Sequence, residues 1–181
     1  PLEFTNNVGT PLNDGIIFIH NSLVGLNLRD KITLIASGKI ATGFDMITKI
    51  ALGADACNSA RAMMFSLGCI QSRHCNKNTC PTGGATQDIK LIKGLVVDEK
   101  KIRVAQYHDS TMHSFTELIG AMGICNPSQL NPAHIMRRIG PGDIKNYAEI
   151  YNYLNPGDLL KTQKPKKYAD HFKQANANKF A

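Results

Sequence analysis

The stretch ITLIASGKIATGFDMITKIALGADACNSARAMMFSL, residues 32–67, decides how this chain is read. Ile32 to Ala36 (ITLIA) is a short, nearly continuous apolar run rich in β-branched residues. It has the length and composition of a buried parallel strand. It stops at Ser37-Gly38-Lys39. A helix is expected from about Thr42 to Leu52, with Met46, Ile47, Ile50 and Ala51 facing inward. Thr42 is its N-cap, Asp45 is placed like the acid of a capping box, and Gly53 is the stop. A second short strand, Ala54 to Asn58, leads directly into a helix over Ser59–Leu67. Such alternation with short connections means a parallel sheet in an α/β fold. It does not separate an open sheet from a closed barrel.

Upstream, Ile16, Ile19, Leu23 and Leu26 recur at helical spacing, predicting a helix over Leu12–Leu28 capped by Asn13 or Asp14. Residues 1–11, with Asn6, Asn7, Gly9 and Pro11, read as a loop. Downstream, residues 68–87 are loop-like, carrying Gly68, Asn76, Asn78, Pro81, Gly83 and Gly84. A long helix is expected over Asp98–Met122, with His108, Met112, Phe115, Ile119 and Met122 on one face and Gly123 just past its end. Beyond it come short pieces interrupted by Pro127, Pro132, Pro141 and Pro156.

The strongest chemical signal is Cys69-x5-Cys75-x4-Cys80-Pro81. Thiolates are soft ligands for zinc, copper(I) and iron–sulfur clusters. Structural zinc usually takes paired C-x2–4-C spacings and four ligands. Here three cysteines are local, and His74 adjoins Cys75 too closely for an unstrained tetrahedral chelate. Three thiolates match the three irons of a [3Fe–4S] cluster, and Gly, Asn and Pro let the backbone aim N–H groups at sulfur. Another metal and unliganded thiols stay open on spacing alone. Cys57, in a predicted strand, and Cys125, beyond a helix end, are read as non-ligands.

Two loops lie between a strand end and a helix start: Ser37-Gly38-Lys39 and Asn58-Ser59-Ala60-Arg61. Helix N-termini offer free N–H groups and a positive dipole end, which attract phosphate. Lys39 and Arg61 add charge. In (β/α)8 barrels the loops after the last two strands often build such a site. Any one of these residues alone reads more readily as a turn or a solvated charge, and their pairing on consecutive strands is what strengthens the phosphate reading.

The 181 residues are 43% hydrophobic and 19% charged, a composition for a folded domain. The sequence has no run of about 20 apolar residues, so no transmembrane helix is expected. Five cysteines without a secretory signal argue against a disulfide framework and for a reducing, cytoplasmic setting. The net charge is +7. Most of it falls in the last stretch of the chain, on the lysines 161, 164, 166, 167, 173 and 179, and this stretch reads as a solvated, partly disordered basic tail. Arginines interleaved with aromatics on a folded face are missing from the pattern, so no nucleic-acid partner is expected.

These segments together resemble a known family. LGCIQSRHCNKNTCPTGGATQD, Leu67 to Asp88, resembles the cluster loop of the FMN-binding domain of glutamate synthase. IASGKIATG (Ile35–Gly43) and ALGADACNSARAMM (Ala51–Met64) resemble that domain's strand-seven and strand-eight segments. PLEF, residues 1–4, resembles the stretch after its Gly-rich loop. The likeness is nearer to the stand-alone glutamate-synthase-related proteins. The multidomain enzyme typically has Asp-Gly-Gly where this chain has Ser37-Gly38-Lys39, and Gly-Thr where it has Ala60-Arg61.

The resemblance implies an α/β fold that is the C-terminal portion of a (β/α)8 TIM barrel, with a cysteine-rich loop and a helical C-terminal extension. Residues 1–125 would belong to the barrel, including the cluster loop 68–87, and residues 126–181 to the extension with its basic tail. It implies FMN held at its phosphate by Ser37, Gly38, Lys39, Ser59, Ala60 and Arg61. It implies a [3Fe–4S] cluster on Cys69, Cys75 and Cys80. The implied enzyme is an oxidoreductase that aminates 2-oxoglutarate to glutamate with ammonia, free or glutamine-derived. Ferredoxin or a pyridine-nucleotide reductase would supply electrons, and a homo-oligomer is compatible with this. The alternative is an iron–sulfur electron-transfer or binding module without amination activity. A full barrel takes about 250 residues, so the chain is read as a C-terminal fragment. No catalytic acid or base is assigned.

Overall fold

The computed structural model describes residues 2–179; Pro1 of the expected loop and Phe180 and Ala181 of the expected tail lie outside them. In chain order the elements are α1 (Leu2–Asn7), α2 (Leu12–Gly25), β1 (Ile35–Ser37), α3 (Gly43–Ala51), β2 (Ala56–Asn58), α4 (Arg61–Ser66), α5 (Ile89–Ile92), α6 (Val97–Ala121), β3 (Met136–Gly140), β4 (Asp143–Asn146), α7 (Tyr147–Ile150) and α8 (Lys166–Gln174). The fold is mixed α/β: β1 and β2 form one two-stranded sheet, and β3 and β4 another. No helix among the described residues is long and apolar enough to cross a membrane.

The chain forms two compact units. The first takes the chain up to Ala36, Lys49–Ala56, and everything from Leu130 on. Its core includes Ile16, Ile17, Leu52, Ile135 and Leu159, with Leu52 at 0% exposure. Each such side chain contributes about 1.5–3 kcal/mol by leaving water. Leu159 packs directly on Gly25, where a Cβ would lie 2.5 Å from its Cγ. Asn21 is 1% exposed and is fully used: its Nδ2 donates to the Asn152 carbonyl at 2.8 Å, and its Oδ1 accepts from the Leu154 amide at 3.0 Å.

A polar cluster also holds this unit. The Arg29 guanidinium donates to His20 Nδ1 at 3.2 Å, to the Gly53 carbonyl at 2.9 Å and to Asp55 Oδ1 at 2.7 Å. Asp55 Oδ2 accepts from the Leu34 amide at 2.7 Å. Burial and the neighbouring guanidinium push the His20 imidazole below its usual pKa. Burial raises Asp55, but Arg29 and the Leu34 amide outweigh it and hold the carboxyl below its usual range. Gly53 ends α3 at φ +118, and a Cβ there would meet His20 Nδ1 at 2.3 Å. Its amide bonds to Ile50 and the Ala54 amide to Lys49, the two bonds of a Schellman stop.

The second unit takes Ser37–Thr48 and Cys57–Gln129. Its core includes Ile40, Ile47, Ala62, Cys80, Phe115, Ile119 and Ile124. Gly43 lies against the backbone of α6, where a Cβ would come within 2.5 Å of the Phe115 amide nitrogen. The long helix α6 opens with Asp98 and Glu99, which suit its positive end.

Several expectations are corrected. Residues 2–7 are helical, since the breakers Gly9 and Pro11 act only after them. The cap of α2 is Pro11; Asn13 instead accepts from Lys49 Nζ at 2.7 Å. The helix ends at Gly25 rather than Leu28, because Asn27 turns left-handed at φ 57. Its buried face runs through Ile16, Ile17, Asn21 and Gly25, with Ile19 44% exposed. The strand around Ile32–Ala36 is not buried on both faces: in β1 Ala36 is 2% exposed but Ile35 is 52%. On α6, Phe115 and Ile119 are buried while His108 is exposed. The C-terminal extension is not purely helical. It carries an antiparallel hairpin with Arg137 opposite Lys145 and a register shift between Arg138 and Gly140. The basic tail holds a helix, α8, whose Tyr168 is 6% exposed and stacks on Phe18 at 5.2 Å between ring centroids.

Candidate cofactor site

All nine residues singled out for cofactors fall in the second unit. Ser37-Gly38-Lys39 leaves β1 and Ser59-Ala60-Arg61 leads into α4. The Ser59 hydroxyl donates to the Ile40 carbonyl at 2.7 Å, so the two loops are tied together. Gly38 and Lys39 have φ 136 and φ 52, so the first loop turns through two successive left-handed residues. Ser37, Gly38, Lys39, Ala60 and Arg61 are exposed. Neither Lys39 nor Arg61 forms an ion pair among the described residues. The Tyr107 hydroxyl of α6 donates to the Ala41 carbonyl and braces the same loop.

The two helix starts differ. At α3 the Asp45 carboxylate accepts from the amides of Ala41 and Thr42 at 3.1 and 3.0 Å, and the Thr42 hydroxyl accepts from the Asp45 amide at 3.1 Å. The expected capping pair is present, and the carboxylate bonds to the two amides that precede the helix. At α4 the cap residue, Ala60, offers no side-chain hydrogen bond.

The cysteine loop starts from a fixed base. Gly68 at φ 98 donates to the Phe65 carbonyl, and the Cys69 amide donates to Met64 at 3.0 Å, closing α4 with a Schellman stop. Gln71, Arg73 and Asn78 then adopt φ 57, 60 and 59. Non-glycine residues held left-handed cost about 1–3 kcal/mol each and gather at ligand clamps. Cys75 opens a 3-10 turn, Cys75–Lys77. The loop is pinned where Asn78 Oδ1 accepts from the Gln87 amide at 2.7 Å and the Thr86 hydroxyl donates to the Asn78 carbonyl at 2.6 Å.

Cys69 is half-buried, Cys75 exposed and Cys80 buried, with 6% of its surface exposed. Cys80 Sγ lies 3.3 Å from the Thr82 hydroxyl. That hydroxyl and the Thr82 amide, helped by the amides of Ala85 and Gly84 and opposed by burial, bring the Cys80 pKa down to about 7. Neighbours that favour the thiolate suit a sulfur that ligates a metal cluster. Cations stand over the start of the loop: a Cβ on Gly68 would lie 3.4 Å from Lys100 Nζ and 3.9 Å from Arg103 Nη1. Among the described residues no three His, Cys, Asp or Glu side chains gather around a single-ion site. Cluster thiolates each bind a different iron and need not converge on one point. The soft donors, the lowered Cys80 pKa and the cationic surroundings fit a cluster ligand set. Cys57 Sγ faces the Met46 carbonyl at 4.0 Å, and Cys125 is exposed on a separate turn.

Sequence reasoning missed Thr82, Gly84 and Ala85 as partners of Cys80. The run CPTGGA carried a signal for close backbone approach but not for its target. Tyr107 gave no signal at all.

The family model described as "Conserved region in glutamate synthase" matches residues 1–125. The glutamate synthase large subunit-like protein YerD of Bacillus subtilis is 40% identical over 144 residues, which is 80% of this chain and 27% of that protein. The archaeal glutamate synthase [NADPH] of Methanocaldococcus jannaschii is 38% identical over 124 residues, 68% of this chain and 24% of that protein. A ferredoxin-dependent glutamate synthase 2 of Synechocystis is 35% identical over 91 residues, 50% of this chain and 6% of that protein. The chain thus spans about a quarter or less of the length of these relatives. On the match over residues 1–125, this chain belongs to the glutamate synthase family.

Proposed function

We propose that this chain is the C-terminal part of the FMN-binding (β/α)8 barrel of a glutamate synthase, with residues 1–125 in the barrel and 126–181 as an extension. The observation that carries the reading is the Cys69–Cys75–Cys80 loop, held in shape by left-handed residues and by Asn78, with Cys80 Sγ 3.3 Å from the Thr82 hydroxyl. The exposed Ile35 of β1 supports it, since a strand of a parallel barrel is covered on both faces. Cys69, Cys75 and Cys80 would hold a [3Fe–4S] cluster. Ser37, Gly38, Lys39, Ser59, Ala60 and Arg61 would hold the phosphate of FMN. When bound, these groups would supply the electrons that convert 2-oxoglutarate and ammonium, with two electrons and two protons, to glutamate and water.

The chain's own residues bind and orient. Lys39 and Arg61 offset phosphate charge, the bond from Ser59 to Ile40 sets the spacing of the two loops, and Thr82 stabilises the Cys80 thiolate. Relatives named for NADPH and for ferredoxin support a pyridine-nucleotide reductase or ferredoxin as electron donor. The test is the composition of the complete protein purified without oxygen. About one FMN and three irons per chain, with turnover of 2-oxoglutarate and ammonia, is expected. Iron without flavin would favour an electron-transfer module instead, and neither would overturn the cofactor reading.

A further inference from the structure

We propose that the first unit binds a free α-amino acid with an uncharged side chain, in a cavity walled by α2, residues 150–154 and the start of α8. The residues read as cofactor ligands all belong to the second unit, so this cavity shares none of them. It holds about 240 Å³ and is lined by Ile17, Ile150, Leu154, Tyr151 and Tyr168, with Asp14 and Lys167 among its lining residues. At a liquid share of about 30 Å³ per water, that is room for about eight waters, the size of a small metabolite of eight to ten heavy atoms.

Its walls are anchored rather than loose. Asn21 ties α2 to Asn152 and Leu154. Tyr168 is held in turn by its stack on Phe18. Asp14 and Lys167 carry opposite charges, and neither forms an ion pair among the described residues. A simple anion would leave Asp14 opposed to it, and a simple cation would leave Lys167 so. A molecule with an ammonium and a carboxylate on one carbon answers both, while its side chain replaces water on the apolar walls.

The test is titration calorimetry of the 181-residue chain at low ionic strength with three probes: L-leucine, 4-methylpentanoate, which lacks the amine, and 3-methylbutylamine, which lacks the carboxylate. L-leucine is expected to bind about threefold or more tighter than either analogue. Asp14→Asn should erase its advantage over 4-methylpentanoate, and Lys167→Gln its advantage over 3-methylbutylamine. Both side chains are exposed, so the fold should survive, and unchanged thermal unfolding would verify that. Slower amide exchange in α8 with leucine would support the site. Equal binding of the three probes, no saturation by leucine, or an advantage that survives both variants would overturn it.

Discussion

Cys57 and Cys80 belong to the same unit and are held in opposite ways. Cys57 lies in β2, half-buried, with the Met46 carbonyl as a distant neighbour. Cys80 lies in a loop bent through left-handed residues, and its sulfur is faced by a hydroxyl and several amides. Cys57 sits in a three-residue strand, whereas Cys80 sits in a loop where the Thr82 hydroxyl and nearby amides favour its thiolate. A thiol's role here therefore follows from what its neighbouring backbone does, since burial alone would rank Cys80 as the more inert of the two.

Deleting each thiol in turn puts this contrast at greatest risk. Cys80→Ala should abolish iron binding by the complete protein and Cys57→Ala should leave it intact, read as iron and labile sulfide; equal loss in both would remove the distinction. Next in size is Gly53→Ala, which forces a Cβ onto the His20 ring at a left-handed position. It should cost about 2–4 kcal/mol in urea unfolding, and an unchanged midpoint would show that the first unit yields there. Thr82→Val removes the hydroxyl beside Cys80 Sγ and should raise the Cys80 pKa from about 7, read by ultraviolet thiolate absorbance against pH in the metal-free chain. The smallest effect is the pH dependence of stability. The folded-state pKa of His20 is lowered, so the unfolded chain takes up its proton more readily. Stability should fall as pH drops below about 6.5, and His20→Phe should flatten that slope.

The alternation over residues 32–67 was legible because strand-like and helix-like runs follow each other with recognisable stops. Thr42, Asp45, Gly53 and Gly123 act at or beside the positions read for them. The hairpin of β3 and β4 was not legible. Its strands expose Arg137, Arg138 and Lys145, so no apolar alternation marks them, and Pro141-Gly142 reads as a breaker although it serves as their turn. The helix α8 was hidden by its lysines, although Tyr168 and Phe172 stand one turn apart. At the site, spacing alone picked out the three cysteines. The groups around Cys80 are mostly main-chain amides, which no pattern of side chains reveals. The brace from Tyr107 to Ala41 spans 66 positions, beyond the reach of local reading.

The buried Asn21 has a consequence for how the molecule is made. Its partners at Asn152 and Leu154 lie more than a hundred positions downstream, the first of them 131 residues away. On a ribosome adding about 5–20 residues per second, its amide waits roughly 7–26 seconds for them. The second unit is complete by Gln129, so it can close while the first is still open. A nascent chain halted once Gln129 has left the ribosome should therefore resist protease across α6 and be cut within α2. Protection of α2 at that stage would show that its order of assembly is different.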